Sequence, residues 1–211
     1  MLIRCNMTFT NYFLILGLSE NADSSAIDNA LERISHAMKP SNFMTNMKAL
    51  EQASVVIAKI REAHTALSDE NFREEHRKEV KEAGEPFTPD QLKPFLGHVC
   101  VAAGIISYQD LLEAVAKQTD IDLPLGQILQ DRRLISQTEL EGMLMGQKLY
   151  GAPTRPLETT AKRLLALGLV TLDMVKIALI DQRTSRDGLD ELMCKRGWVE
   201  QPVLDSLKQL W

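Results

Sequence analysis

The sequence Leu96-Gly97 … Gly104-Ile105-Ile106-Ser107 … Gln118 recurs 29 residues later as Leu125-Gly126 … Leu134-Ile135-Ser136 … Gln147. A weaker copy follows in Gly168-Leu169-Val170-Thr171 and, again 29 residues further on, in Gly197-Trp198-Val199-Glu200. Self-similarity at a fixed period is typical of repeat proteins, in which each repeat buries its apolar face against a neighbour. The sequence therefore predicts two tandem pairs of one small helical repeat between residues 92 and 211.

Each repeat is predicted to form a helix, a tight corner and a second helix. Gly104 is expected at the corner, where glycine tolerates a positive φ, and Ser107 is expected to cap the following helix. Arg133 stands at the same place in the second repeat and, if its backbone is left-handed, costs about 0.5–1 kcal/mol relative to glycine. The two apolar residues after each corner are predicted to be buried. Further core positions are expected at Leu111, Leu112, Val115 and Ala116 in the first repeat, and at Leu140, Met143 and Leu144 in the second.

Helical patterns also fill the region before the repeats, over residues 11–18, 24–38, 47–67 and 71–83. The charged run from Arg73 to Glu79 is expected to be a solvated helix face. Glycine and two prolines then predict a linker. The fold class is therefore all-α: a small helical bundle over 1–83 with a short N-terminal arm, a linker over 84–91, repeat pair 1 over 92–150, a linker over 151–157 and repeat pair 2 over 158–211. Met1 and Met7 are both acceptable starts.

Composition limits the classes of partner. The chain has 211 residues, 45% of them apolar, and a net charge of −5, so it lacks the basic surface that nucleic acid requires. No apolar run approaches the length of a transmembrane helix, which predicts no membrane insertion. Three widely spaced cysteines suit a reducing cytoplasm and suggest no metal site.

The first 80 or so residues resemble a J domain. The resemblance includes the opening segment from Asn11 to Ser19, a gapless match to the second helix from Ala22 to Ser41, and Leu67-Ser68-Asp69 at the exit of the third helix. The His-Pro-Asp triplet of that family falls on Lys39-Pro40-Ser41, of which only the proline is retained. This degenerate motif is either a divergent chaperone contact or a loop that ends a helix.

The repeats resemble the amino-terminal domain of type II secretion and type IV pilus assembly ATPases. That family combines Leu-Gly, a Gly-(Leu/Ile)-(Ile/Leu)-(Ser/Thr) corner and a terminal Gln, and one branch binds cyclic di-GMP through two such motifs with a five-residue spacer. Thr119 to Leu123 gives the first pair this spacer. The resemblance implies cyclic di-GMP as a ligand and the following as its contacts: Phe95, Leu96, Gly97, Gly104, Gln118, Leu125, Gly126 and Gln147. The arginines of strong binders are replaced by Phe95 and Pro124. The alternative for the Leu-Gly pairs is close helix packing.

No nucleophile elbow, phosphate-binding glycine loop or carboxylate pair occurs in the sequence. The predicted function is therefore a non-catalytic adaptor of a bacterial secretion, pilus or signalling system that binds a protein partner. No cofactor is expected, and cyclic di-GMP is the ligand that the resemblance implies. The alternative is a chaperone-linked J-like protein that recruits a heat-shock ATPase or its client.

Overall fold

The computed structural model describes residues 9–84, 87–153 and 156–210, and within these ranges the chain is entirely helical apart from its turns and loops. The predicted all-α class is confirmed. The first eight residues, including Met7, the linker residues Glu85, Pro86, Thr154 and Arg155, and Trp211 lie outside the described residues. The described helices are α1 Tyr12–Leu16, α2 Ser24–Ala37, α3 Met47–Ser68, α4 Glu70–Ala83, α5 Leu96–Ala102, α6 Tyr108–Ile121, α7 Leu125–Asp131, α8 Gln137–Leu149, α9 Thr159–Ala166, α10 Leu172–Asp181, α11 Leu189–Lys195 and α12 Gln201–Lys208, with a 3₁₀ turn at Pro40–Asn42.

The repeat corners share one backbone geometry. φ is 71° at Gly104, 58° at Arg133, 73° at Gly168 and 70° at Gly197, so all four are left-handed. At the first corner the N–H of Gly104 donates to the carbonyl of Val101, and the next N–H donates to the carbonyl five residues before it, both at 3.0 Å. The other three corners repeat this pair of hydrogen bonds at 2.8–3.0 Å. This is the Schellman ending of a helix, and it confirms the predicted register of the four repeats.

Both apolar residues after each corner were predicted to be buried, and the prediction holds best for the second of the two. This residue is buried in every repeat, as Ile106, Ile135, Val170 and Val199. The first position is buried only at Leu169 and half-buried at Ile105, Leu134 and Trp198. The repeats are therefore organised around the second residue of each pair.

Contacts group the chain into two compact units whose limits differ from the predicted domains. The N-terminal unit comprises residues up to Phe87, Leu157–Thr171 and residues from Met193 onward, and the central unit comprises Thr88–Pro156 and Leu172–Leu192. In the N-terminal unit α1 packs against α9, and α12 packs against α2 and α3. In the central unit α10 packs against α5. Repeat pair 2 is divided because its helices find their apolar neighbours outside the pair.

The charged run on α4 is only partly a solvated face, since Arg73 and His76 are buried. Arg73 Nη1 donates to the carbonyl of Leu67 at 2.9 Å, which satisfies an acceptor in the last turn of α3. His76 lies among the rings of Phe9, Tyr12, Phe13 and Phe72, at centroid distances of 5.1–5.8 Å. The prediction was wrong for these two residues because α4 packs with this side against α3 and the α1 region.

The predicted cores of α6 and α8 are only partly formed. Leu111 is buried, and Leu140 and Met143 are half-buried. The expected core residues Leu112, Val115, Ala116 and Leu144 are exposed. The apolar residues of each helix span more of its circumference than its neighbours cover: α6 packs chiefly against α7, and α8 against α5.

Candidate functional site

The two Leu-Gly motifs are packing sites. Gly97 and Gly126 are both buried. A Cβ at Gly126 would stand 2.8 Å from Leu140 Cδ1, and one at Gly97 would overlap Leu111 Cδ1 and lie 3.2 Å from Leu125 Cδ2. The glycines therefore let a leucine of the second helix in each repeat reach the backbone of the first. Leucine side chains fill the surface above each glycine.

The other predicted ligand residues have separate surroundings. Leu96 and Leu125 are half-buried at the first positions of α5 and α7, and Gly104 is exposed at its corner. The Gln118 side chain donates from Nε2 to the carbonyl of Leu123 at 2.9 Å, while the backbone carbonyl of Gln147 accepts from the N–H of Tyr150 at 3.1 Å. Helix α6 continues past Gln118 to Ile121. Part of the five-residue spacer from Thr119 to Leu123 is therefore helical. The side chain of Gln118 bonds to the last residue of this spacer and so stabilises the turn at the end of α6.

A polar cluster that the sequence analysis did not identify lies beside Phe95 in the central unit. His98 is buried, and its Nδ1 accepts from the N–H of Phe95 at 2.8 Å. Its Nε2 must then carry the proton, and it donates to Asp173 Oδ1 at 3.0 Å. This hydrogen bond lowers the pKa of Asp173. Both ring nitrogens are engaged, so His98 connects α5 to α10 and is not a free base.

Lys176 completes this cluster. Its side chain is buried, with Nζ 3.9 Å from Asp173 Oδ1 and 4.8 Å from the centroid of the Phe95 ring. Burial lowers the pKa of Lys176, and the charge of Asp173 opposes that shift. The Phe95 ring itself is 54% exposed. The arrangement holds an ammonium group against an aromatic face, a contact that favours a charged lysine, and leaves part of the ring accessible to a planar ligand.

The degenerate J motif forms an exposed turn. Lys39, Pro40 and Ser41 are all exposed, and the 3₁₀ turn begins at Pro40. Asn42 Nδ2 donates to the carbonyl of Ala37 at 3.0 Å, so the turn caps the end of α2. This geometry fits the expected loop that ends a helix.

A second site missed by the sequence analysis lies within the N-terminal unit, where α3 meets the fourth corner. Gln52 Nε2 donates to the carbonyl of Trp198 at 2.7 Å, and Gln52 Oε1 accepts from the N–H of Glu200 at 2.9 Å. Glu200 accepts from Asn46 Nδ2 at 2.8 Å and pairs with Lys48 at 3.4 Å. Glu200 occupies the position at which Ser107 and Ser136 cap their own helices. In the fourth repeat this position serves a tertiary contact, which explains the absence of a serine there.

No family model, curated protein or solved structure matches this chain. Among the described residues, no three His, Cys, Asp or Glu side chains come together as a group that could hold a metal ion. Within the same ranges, every helix is too short or too polar to cross a membrane.

Proposed function

We propose that the protein is a non-catalytic adaptor of a bacterial secretion, pilus or signalling system, and that its repeats bind a protein partner. The observation that carries the proposal is the α6 surface, defined as Leu112, Val115 and Ala116. Leu112 is 43% and Val115 46% exposed. Residues three and four apart lie side by side on a helix, so these side chains form one continuous apolar stripe.

The surroundings of the α6 surface support binding of a partner helix or loop. The α6 surface has polar neighbours on the same helix, among them Gln109 and Glu113. Glu113 accepts a hydrogen bond from Arg132, which lowers the pKa of this carboxyl and fixes it beside the stripe. An apolar centre with a charged rim is the usual organisation of a protein interface.

Site-specific photo-crosslinking of the full chain in its native cells tests this proposal. A photoreactive residue at Val115 should give an adduct of defined mass with another protein. Lys117 is the matched control, since it is exposed on the same helix but points about 160° away from Val115. Leu112→Glu should abolish the Val115 adduct. An absent adduct, or the same adduct from both positions, would contradict partner binding at this surface.

Cyclic di-GMP is a second candidate, as a ligand that modulates the adaptor. The exposed ring of Phe95 supports it, because a purine could stack on the part of the ring that the Lys176 ammonium leaves open. Each missing arginine costs about 1.5–3 kcal/mol, or one to two decades of affinity. Calorimetry on the full chain should therefore show binding weaker than about 1 µM that Phe95→Ala removes. A silent titration would eliminate this ligand and leave the adaptor proposal intact.

The chaperone-linked alternative predicts a different result. The resemblance to J domains implies a basic second helix, whereas α2 exposes Asp28 and Glu32, and His64 Nε2 lies 2.8 Å from Asp28 Oδ1. We therefore expect the full chain to leave the turnover of a heat-shock ATPase unchanged. A several-fold stimulation in a steady-state assay would favour the alternative over the adaptor.

A further inference from the structure

Helix α8 exposes a stripe on the side opposite to α5. The α8 stripe consists of Glu141, Leu144, Met145, Lys148 and Leu149, all of them exposed. Met145 is 71% and Leu149 78% exposed. The opposite side faces α5, with Val99 Cγ1 4.0 Å from where a Cβ would stand at Gly146. None of the 13 residues of α8 is fully buried.

The corresponding face of the third repeat is covered. Counted from the repeat corners, Leu144 and Met145 correspond to Leu179 and Ile180 of α10. Ile180 is buried and Leu179 half-buried. In the same helix, Asp173 and Lys176 contact His98 and Phe95 at the start of α5. This side of the repeat is therefore a packing surface, and in α8 it has no neighbour among the described residues.

The α8 stripe carries one acidic and one basic residue at positions where two copies of the stripe would match in charge. Glu141 lies three residues before Leu144, and Lys148 lies three residues after Met145. We propose that α8 pairs antiparallel with α8 of a second copy of this chain, about a two-fold axis between Leu144 and Met145. The axis places Glu141 of each copy opposite Lys148 of the other, over an apolar centre of two leucines and two methionines. A parallel pair would oppose like charges, so the pattern determines the direction.

The pairing is expected to be weak and reversible. One pair of short helices buries less than the roughly 1,200–2,000 Å² of a stable complex, so association should appear only at micromolar concentrations or above. The two ion pairs lie in solvent and contribute orientation more than affinity. The proposed dimer interface does not include the α6 surface. An experiment can therefore refute self-association without affecting the proposal of partner binding, and the reverse.

Sedimentation velocity of the full chain, from about 10 to about 500 µM, tests the proposal. The 23.7 kDa monomer should convert reversibly to a dimer as concentration rises. Met145→Lys should abolish the dimer. Met44→Lys is the matched control, since Met44 is a 73% exposed methionine of the N-terminal unit, and it should leave the dimer unchanged. Far-UV circular dichroism checks that both variants keep their helical content.

Charge reversal tests the orientation. Glu141→Lys and Lys148→Glu should each weaken dimerisation about tenfold, because each turns two attractive pairs into two repulsive ones. The double variant should recover the wild-type dissociation constant, since the exchanged charges again meet as opposites. A chain that stays monomeric at the highest concentration, a dimer that survives Met145→Lys, or a double variant no better than the singles would overturn the proposal.

Discussion

Replacing Arg133 with glycine should stabilise the central unit by about 0.5–1 kcal/mol. Arg133 has φ of 58°, a conformation that costs a residue with a Cβ roughly 1–2 kcal/mol. Glycine removes this cost but gives back about 0.4–1 kcal/mol through the greater freedom of the unfolded chain. The exposed Arg133 side chain makes no hydrogen bond or ion pair among the described residues. Its removal should therefore change the free energy of unfolding little.

The reverse substitution, Gly104→Ala, tests the same backbone strain by introducing it at the first corner, where the wild-type chain has none. A Cβ at Gly104 would meet nothing within 4 Å, so Gly104→Ala introduces backbone strain without a steric clash. We expect it to destabilise the unit by about 1 kcal/mol. The two variants therefore form a matched pair at equivalent corners of adjacent repeats.

Urea unfolding followed by circular dichroism measures both changes, with amide exchange of residues 96–149 to assign them to the central unit. At an m-value of about 2 kcal/mol/M, Arg133→Gly should raise the midpoint by about 0.3–0.5 M and Gly104→Ala should lower it by a similar amount. If Arg133→Gly leaves the midpoint unchanged or lowers it, the assumption that backbone strain dominates at this corner is refuted.

Three further changes follow from contacts described above. Gly97→Ala should destabilise the central unit by about 1–3 kcal/mol, because the new methyl group overlaps the buried side chain of Leu111. Gln52→Leu should cost about 1–3 kcal/mol in urea unfolding, since it removes the two hydrogen bonds that Gln52 makes to the carbonyl of Trp198 and to the N–H of Glu200. Burial lowers the pKa of His76 below its usual 6.5, so stability should fall as the pH drops below about 6.5, and His76→Gln should reduce that slope.

Each of these changes has a control. Gly142 lies in α8 with open space around its missing Cβ, so Gly142→Ala should stabilise by about 0.5–1 kcal/mol where Gly97→Ala destabilises. Glu51→Ala is the control for Gln52→Leu, because Glu51 is the exposed neighbour of Gln52 on α3, and its free energy of unfolding should stay within about 0.5 kcal/mol of wild type. For His76, burial disfavours the protonated ring, and Nε2, which accepts from the N–H of Tyr12, loses that acceptor role once it is protonated. Equal pH slopes in wild type and His76→Gln would assign the sensitivity to other groups.

The corners could be predicted from sequence because they depend on local chemistry. A helix that ends in a left-handed residue, followed by an apolar pair and a serine cap, is specified within a few residues. The 29-residue spacing then fixed the register even at Arg133, where the usual glycine is missing. Leu-Gly packing was also one of the two predicted alternatives, and the leucines over Gly97 and Gly126 agree with it.

Features that depend on distant neighbours could not be predicted in this way. Periodicity indicates which side of a helix is apolar but not how much of it another helix covers, so Val115 and Leu144 were placed in the core. Gln52 and Glu200 are 148 residues apart, and nothing in their local sequence indicates a hydrogen bond between them. The buried position of His76 depends likewise on aromatic residues more than 60 positions earlier.

The division of repeat pair 2 has a consequence for the order in which the chain can fold during synthesis. The central unit needs residues up to Leu192, and the N-terminal unit needs α12, which follows it. As the ribosome releases the chain from its amino end, α1–α4 emerge first. The end of α4 at residue 83 is followed 76 residues later by the start of α9, which packs against α1, and 118 residues later by the start of α12, which packs against α2 and α3. The segment made first is thus completed last, and a nascent chain that stalls before Gln201 would expose the surface of α3 and α2 that α12 covers.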